Sequence, residues 1–452
     1  MIQNNLKERS ILRDLGGGLI LRRAVPEDTE ELVDFNARIH SDAGPEHPDE
    51  RVGAWVGDLM VGPHPTFKTE DFTVVEDTAT SKIVSSLNLI SQTWSYGGIP
   101  FGVGRPELVA TLPEYRNRGL VRAQFEVIHQ WSADRGEKMQ AITGIPYYYR
   151  LFGYEMGLAL EGFRAGFIPQ VPKLKEGETE PYRLRPAAEA DLPFIASLYE
   201  QAGQRYLVNC IWDEALWRYE LKGKSEKNVN RMELRLIETP AGEPVGFLAH
   251  QSFTWGPSMA TLAYEVKPGI SWAAVTPSVI RYLQAAGEAL PPFIGTKEPF
   301  SSFIFRLGAE HPVYQVIPDR LPRVRRPYAW YVRVPDLADF LRHIAPVLEK
   351  RLAGSLLVGY TGEFKITFYR SGLHLVFEQG RLKTVEDWKP TPQGHSGDSA
   401  FPDLTFLQLL FGYRSLEELR YAFADCGTRS DEVATLLNIL FPKQASDVWP
   451  IS

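Results

Sequence analysis

Residues 112–125 read LPEYRNRGLVRAQF, and they concentrate Arg116, Arg118 and Arg122 around Gly119. The segment before them has the composition of a strand, and apolar residues from Leu120 onward recur at helical spacing. We therefore predict a strand-to-helix turn here. Such a turn directs backbone N–H groups, the positive helix end and basic side chains at one point, which is an arrangement that binds phosphate. The glycine lets a pyrophosphate approach the main chain without a Cβ atom in the way.

A second motif lies at residues 149–154, which read YRLFGY. Residues 116–121 resemble the pyrophosphate loop of the GCN5-related N-acetyltransferases, Gln/Arg-x-x-Gly-x-Gly/Ala, with Val121 in place of the last small residue. Residues 149–154 fit the Tyr-x-x-x-Gly-Phe/Tyr signature of the same superfamily. The resemblance implies that residues 1–166 form a catalytic domain that uses acetyl-CoA as the acetyl donor.

The pattern around the motifs predicts an α+β fold for this part of the chain. Strands are expected at residues 19–24, 72–78, 82–94, 106–112 and 138–145, with helices after Asp28 and over residues 118–135. The order of strands and helices predicts three consecutive antiparallel strands, then a helix and a further strand.

A degenerate repeat of this pattern follows. Leu21, Arg22, Ala24 and Asp28 match Leu184, Arg185, Ala187 and Asp191 at a constant offset, and a proline-rich, charged linker separates the two copies. The second copy, residues 178–320, has no Arg-x-x-Gly loop and carries FIFRLG where the first has the tyrosine motif. We therefore expect it to bind no coenzyme.

Residues 326–452 form a third unit, with an amphipathic helix at residues 335–352, a strand meander and two apolar helices. This plan resembles the enhanced intracellular survival (Eis) family. The resemblance implies two GCN5-related acetyltransferase-like domains, each a mixed sheet flanked by helices, followed by an α/β domain like sterol carrier protein type 2. It also implies a homo-oligomer, with a hexamer suggested by the resemblance alone.

The resemblance assigns roles to individual residues. It implies that Tyr149 donates a proton to the leaving thiolate and that the C-terminal carboxylate of Ser452 is the base. The residues implied to hold the coenzyme are Val109, Thr111, Arg116, Arg118, Gly119, Leu120, Val121 and Arg122. Glu107, Asp42 and His40 are alternative bases, although each is also an ordinary surface or core residue type. Trp94, Phe101 and Trp55 either line an acceptor pocket or belong to the core.

Composition limits the class of protein. The net charge of −7 and the isoelectric point near 5.8 argue against a nucleic-acid surface. Two cysteines and scattered histidines indicate neither disulfides nor a metal site, and no apolar run is long enough to span a membrane. We expect a cytoplasmic enzyme that acetylates a primary amine, with aminoglycosides, polyamines and lysine side chains all open as acceptors. The alternatives are a non-catalytic acetyl-CoA or lipid-binding protein and, less favoured, an aminoacyl transferase that uses charged tRNA.

Overall fold

Three β-sheets with flanking helices organise the part of the chain that the computed structural model describes, residues 11–295, 298–391 and 397–452. The fold is mixed α/β, as the sequence predicts. Within the described residues, no helix combines the length and the apolar character that crossing a membrane requires.

The first sheet contains the opening motif. Its strands from the first third of the chain are β1 (Ile11–Gly16), β2 (Leu19–Arg23), β3 (Phe72–Asp77), β4 (Lys82–Tyr96), β5 (Ile99–Thr111), β6 (Met139–Ile142) and β7 (Glu155–Leu160). The helices are α1 (Thr29–Ile39), α2 (Glu50–Val61) and α3 (Leu120–Asp134). The strands β3, β4 and β5 are antiparallel as predicted, whereas β1, β7 and α2 were not predicted.

The second sheet repeats this arrangement. Its strands are β8 (Phe163–Phe167), β9 (Arg183–Pro186), β11 (Met232–Glu238), β12 (Pro244–Gln251), β13 (Ser258–Val266), β14 (Ser302–Phe305) and β15 (Arg323–Arg325), while β10 (Val208–Cys210) pairs with β4 of the first sheet. The helices are α4 (Leu192–Gly203), α5 (Glu214–Lys222), α6 (Trp272–Ala289) and α7 (Pro312–Val316).

The third sheet lies near the end of the chain, after β16 (Tyr328–Arg333). Its strands are β17 (Gly362–Thr367), β18 (Gly372–Glu378), β19 (Arg381–Trp388), β20 (Ser399–Ala400) and β21 (Gly427–Thr428). The helices are α8 (Leu337–His343), α9 (Ala345–Ala353), α10 (Phe406–Leu410), α11 (Leu416–Ala422) and α12 (Asp431–Leu440). The single helix predicted over residues 335–352 is two helices divided at Ile344, because Pro346 has no N–H group to continue a helix and is accommodated in the first turn of α9.

Each of the first two units begins with the same ion cluster. An arginine on the first strand of the repeat forms two hydrogen bonds of 2.6–2.9 Å with an aspartate six residues later, and a third, of 2.8 or 2.9 Å, with a glutamate of the neighbouring strand. The clusters consist of Arg22, Asp28 and Glu76 in the first unit and Arg185, Asp191 and Glu238 in the second. The matched residues of the sequence repeat therefore occupy matched structural positions.

The first two sheets exchange a strand. The strand β8 follows β7 in the chain but lies in the second sheet, between β14 and β15. In return, β16 follows β15 but lies in the first sheet, between β6 and β7. Because a missing inner strand leaves two rows of backbone groups unpaired, each sheet depends on residues from the other unit.

A fragment of residues 1–166 is therefore expected not to fold alone. It lacks β16, so β6 and β7 have no partner between them, and β8 has no sheet to join. We expect no cooperative thermal transition by circular dichroism, whereas the full chain measured in parallel shows one. A sharp transition for the fragment would contradict this expectation.

Candidate active site

A gap opens between β5 and β6. These parallel strands pair only at Val103 with Met139 and at Gly104 with Gln140, and then separate. Within the described residues, the edge of β5 beyond Gly104 therefore has no strand partner on that side, so its backbone groups are available to solvent or a ligand.

A cavity of about 730 Å³ occupies this gap. It brings together eight of the ten residues predicted for the site: Val109, Thr111, Arg116, Gly119, Leu120, Val121, Arg122 and Tyr149. Arg118 and Ser452 do not line it. The cavity is called the donor cavity below.

A bulge shapes the wall that β5 contributes. Leu108 has a φ of 53°, and the pairing register between β4 and β5 shifts at this point. A positive φ is unfavourable for a branched side chain such as leucine, and bulges of this kind redirect strands next to functional sites. Residues 107–111 consequently curve along the donor cavity.

The opening motif forms the other end of the cavity. Asn117 and Gly119 have φ values of 61° and 77°, so the chain makes a left-handed turn before α3 begins at Leu120, two residues later than the sequence predicted. No side chain in the described part of the chain caps α3, and the first turn of this helix contains no acidic residue. The first N–H groups of the helix therefore remain free to bind an anion, and only the loop between β5 and α3 separates them from the strand edge.

The three arginines of the motif point in different directions. Arg116 lines the cavity and donates from Nε to the carbonyl oxygen of Thr111 at 3.3 Å. Arg122 lines it with its guanidinium 5.1 Å from the Phe152 ring centre. Arg118 instead donates to the carbonyl oxygen of Glu114 and lies 4.8 Å from the ring of Tyr115. Two of the three cations thus face the cavity directly.

Tyr149 lies in a short 3₁₀ turn, Tyr148–Phe152, that ends at Gly153. Its ring is 5% exposed and packs between Phe125 and Tyr331, with ring centres 6.0 and 5.4 Å away. Burial, and secondarily the charge of Glu107, raises the pKa of Tyr149 well above its usual value. The phenol therefore keeps its proton at neutral pH. Among the described residues, no group forms a hydrogen bond with this hydroxyl.

The C-terminal segment, residues 445–452, lies between the first two units. Its backbone pairs with residues 207 and 208, where the amide of Leu207 donates to Ala445 and that of Asp447 donates to Val208. The indole of Trp212 donates to the carbonyl oxygen of Trp449 at 3.1 Å. Ser452 at the end is 5% exposed, so the chain terminus is held inside the molecule.

Arg105 fixes the last two residues. Its Nη1 donates to the carbonyl oxygen of Ile451 at 2.8 Å and to the hydroxyl of Ser452 at 2.9 Å, while Nη2 pairs with Glu107 at 2.5 Å. Gln92 donates to the same carbonyl of Ile451 at 2.8 Å. The sequence analysis missed Arg105, although a charged residue beside Glu107 in an otherwise apolar strand is a recognisable signal of a buried ion pair.

Ser452 lines a second cavity of about 300 Å³, called the acceptor cavity below. Thr143, which follows the end of β6, lines both cavities, so the two are neighbours. The far wall of the acceptor cavity comes from the second unit and includes Phe253 and Trp255, which the sequence analysis did not single out. The nearer wall includes Trp330 of β16.

The alternative bases differ in position. Glu107 lines the donor cavity, and burial raises its pKa while the Arg105 partner opposes that rise. His40 also lines it, and burial lowers its pKa, so its ring is neutral at pH 7. Asp42 is exposed in a turn and lines neither cavity.

The three aromatic residues considered for an acceptor pocket, Trp94, Phe101 and Trp55, belong to apolar cores. Within residues 11–295, 298–391 and 397–452, no group of three or more histidine, cysteine or acidic side chains is placed to hold a metal ion.

Comparison with known proteins identifies the class of the first unit. Residues 27–157 match the family model described as an acetyltransferase (GNAT) domain. A comparison with curated proteins found no match. The matched segment contains the loop, the gap between the strands and Tyr149.

Solved structures share the whole fold at low sequence identity. A probable N-acyltransferase from Enterococcus faecalis V583 has a TM-score of 0.64 and 14% identity, covering 95% of this chain and 97% of its own. A GCN5-related N-acetyltransferase from Kribbella flavida has a TM-score of 0.60 and 16% identity, with coverages of 96% and 98%. Eis1 from Mycobacterium abscessus has a TM-score of 0.57 and 12% identity, with coverages of 96% and 99%.

The first unit is thus an acetyltransferase domain of the GNAT class, which uses acetyl-CoA. The chain is an acetyl-CoA-dependent acyltransferase with an Eis-like fold.

Proposed function

We propose that the chain transfers the acetyl group of acetyl-CoA directly to a primary amine. The observation that carries this proposal is that Thr143 lines both cavities, with Tyr149 among the residues that line the donor cavity and Ser452, which bears the terminal carboxylate, among those that line the acceptor cavity. Acetyl-CoA supplies a thioester carbonyl, so the C–N bond forms as the C–S bond breaks.

The donor cavity fits the coenzyme. The unpaired edge of β5 at Val109 and Thr111 offers backbone groups to the pantetheine arm. Gly119 and the free N–H groups of Leu120, Val121 and Arg122 offer donors to the pyrophosphate. Arg116 and Arg122 add charge from within the cavity, and Arg118 adds it from outside.

Replacing Arg116 by alanine should weaken acetyl-CoA binding by about 1.5–3 kcal/mol, the range for a charge-assisted hydrogen bond. Arg116 is exposed, so its loss should not affect folding. Isothermal titration calorimetry measures the effect, and Arg118→Ala is the matched variant. Because Arg118 does not line the cavity, its loss should cost less, and equal affinity for the Arg116 variant and the parent would remove the loop from the mechanism.

We assign the two proton transfers of the reaction to two residues, Tyr149 as donor and Ser452 as acceptor. The phenol of Tyr149 keeps its proton at neutral pH, so it can donate that proton as the coenzyme A sulfur leaves and acquires negative charge. The carboxylate of Ser452 accepts the proton of the attacking amine. Glu107 and His40 are the alternative acceptors, but Glu107 is engaged by Arg105, and His40 is half-buried at the end of α1.

The test is release of free coenzyme A, followed with a thiol reagent across a panel of primary amines. We expect release that depends on both acetyl-CoA and the amine. The alternative function, a protein that binds acetyl-CoA or a lipid without turnover, predicts binding without release from any amine.

We also infer that the second unit is a degenerate acetyltransferase-like domain and that, within the predicted range 326–452, the part after β16 forms a sterol-carrier-protein-like domain, since β16 itself belongs to the first sheet. The matched ion clusters and the matched strand order support the duplication. The third unit would then serve catalysis by delivering residues 445–452 to the acceptor cavity. A homo-oligomer, a cytoplasmic location and the absence of nucleic-acid or membrane partners stay predictions.

A further inference from the structure

The acceptor cavity is small, and three parts of the chain line it. Its volume of about 300 Å³ is at the lower limit of ordinary ligand pockets, which span about 300–1,000 Å³. Thr143, Trp255 and Ser452 come from the first unit, the second unit and the C-terminal segment, respectively. An acceptor that is buried here must therefore be compact.

The cations of the cavity are already neutralised. Arg105 pairs with Glu107, Lys224 with Glu220 at 2.5 Å, and Arg306 with Glu161 at 3.2 Å. The side chain of Lys224 is also 3% exposed. These ion pairs leave no free cation among the described lining residues, so the cavity offers little to an acidic acceptor.

The terminal carboxylate has no such partner. It forms no ion pair with any residue that the structure describes, because Arg105 reaches the hydroxyl of Ser452 and the carbonyl of Ile451 instead. Asp447 also lines the cavity, but burial, and then Glu265, raises its pKa to about 7, so it carries only part of a charge at neutral pH. The terminal carboxylate and the partial charge of Asp447 together match one ammonium group. A polycation would carry further positive charges for which the lining offers no counter-charge.

A neutral acceptor of hydrogen bonds accompanies the carboxylate. Gln251 is 5% exposed and lines the cavity, and its Oε1 has no hydrogen-bond partner within the described residues. A half-turn of the amide would exchange its oxygen and nitrogen and present the oxygen to an ammonium group.

The remaining wall is aromatic. Trp255 is 42% exposed and packs against Phe293 with ring centres 4.0 Å apart and ring planes inclined by 31°, and Phe253 packs 5.7 Å from Trp255. These contacts hold the indole in place while leaving part of its surface free. A flat apolar group that covered this surface would gain hydrophobic and ring-stacking energy.

We propose that the acceptor is a compact monoamine with an aromatic ring, an arylalkylamine, and that the second unit binds its ring at Trp255. The amine would lie beside Ser452, and the ring would lie on the indole. This inference rests on the proposed function, since it names the substrate class of the same site. The second unit, which has no coenzyme loop, would then determine which acceptor is bound.

The test compares kcat/KM for phenethylamine, butylamine, spermidine and kanamycin by coenzyme A release. We expect phenethylamine to be the best substrate. Trp255→Ala should lower kcat/KM for phenethylamine about tenfold or more while changing that for butylamine little, because only the ring contact is lost. Trp255→Phe should keep most of the parent's kcat/KM for phenethylamine, because it retains an aromatic ring at this position. Affinity for acetyl-CoA should be the same in all three proteins.

Tyr421→Ala is the matched control, because Tyr421 is an aromatic residue 95% exposed and lines neither cavity. A preference for spermidine or kanamycin, or a Trp255→Ala variant that loses no phenethylamine selectivity, would overturn the inference and leave the proposed function standing. Absence of release from every amine would instead overturn the proposed function, and the inference with it.

Discussion

Replacing Tyr149 by phenylalanine should lower kcat about 100-fold or more and leave acetyl-CoA affinity nearly unchanged. The expected loss is the usual contribution of a general acid. Because the hydroxyl forms no hydrogen bond with the described residues and the ring stays in its aromatic site, folding should not suffer. Steady-state kinetics give kcat, and calorimetry gives the affinity.

Tyr148→Phe is the matched control for this substitution. Tyr148 also lines the donor cavity and is the neighbouring residue of the same turn, but no proton-transfer role is assigned to it. We expect its loss to change kcat little. Full turnover in the Tyr149 variant would show that this tyrosine only packs.

Deleting Ser452 should lower kcat about 100-fold as well, because the terminal carboxylate would move back by one residue and leave the acceptor cavity. Ser452→Ala separates the two groups of this residue, since it keeps the carboxylate in place and removes only the hydroxyl that Arg105 contacts. We expect the alanine variant to keep most of its activity. Thermal unfolding of both variants should resemble that of the parent.

An unchanged kcat for the deletion would contradict the role of the C-terminus as the base. Glu107→Gln is then the next variant, because Glu107 shares Arg105 with the C-terminal segment. A large loss for Glu107→Gln together with a fully active deletion variant would transfer the role to Glu107.

The local parts of the site were predictable. Arg116, Gly119 and Tyr149 are identified by motifs whose spacing is short, and the structure places all three at one cavity. The repeat was also visible in the sequence. Arg22 and Asp28 in the first copy, like Arg185 and Asp191 in the second, are six residues apart and form an ion pair within their own unit. These features depend on local chain geometry, which a sequence pattern encodes directly.

Contacts between distant segments were not predictable. The exchange places β8 and β16 as inner strands of the sheet that belongs mainly to the other unit, and this pairing depends on contacts between segments far apart in the chain. Arg105 and Ser452 are far apart in the chain, so no spacing rule connects them. Trp255 lines the acceptor cavity because the second unit lies beside the C-terminal segment, and no local sequence pattern predicts that arrangement.

The most direct test of direct transfer from acetyl-CoA to an amine is the stoichiometry of products in one reaction mixture. Mass spectrometry measures the N-acetylated amine, and a thiol reagent measures free coenzyme A. Direct transfer predicts one acetylated amine for each coenzyme A released, with neither product formed when the amine is omitted. Release of coenzyme A without an acetylated amine, or no release with any primary amine, would contradict it.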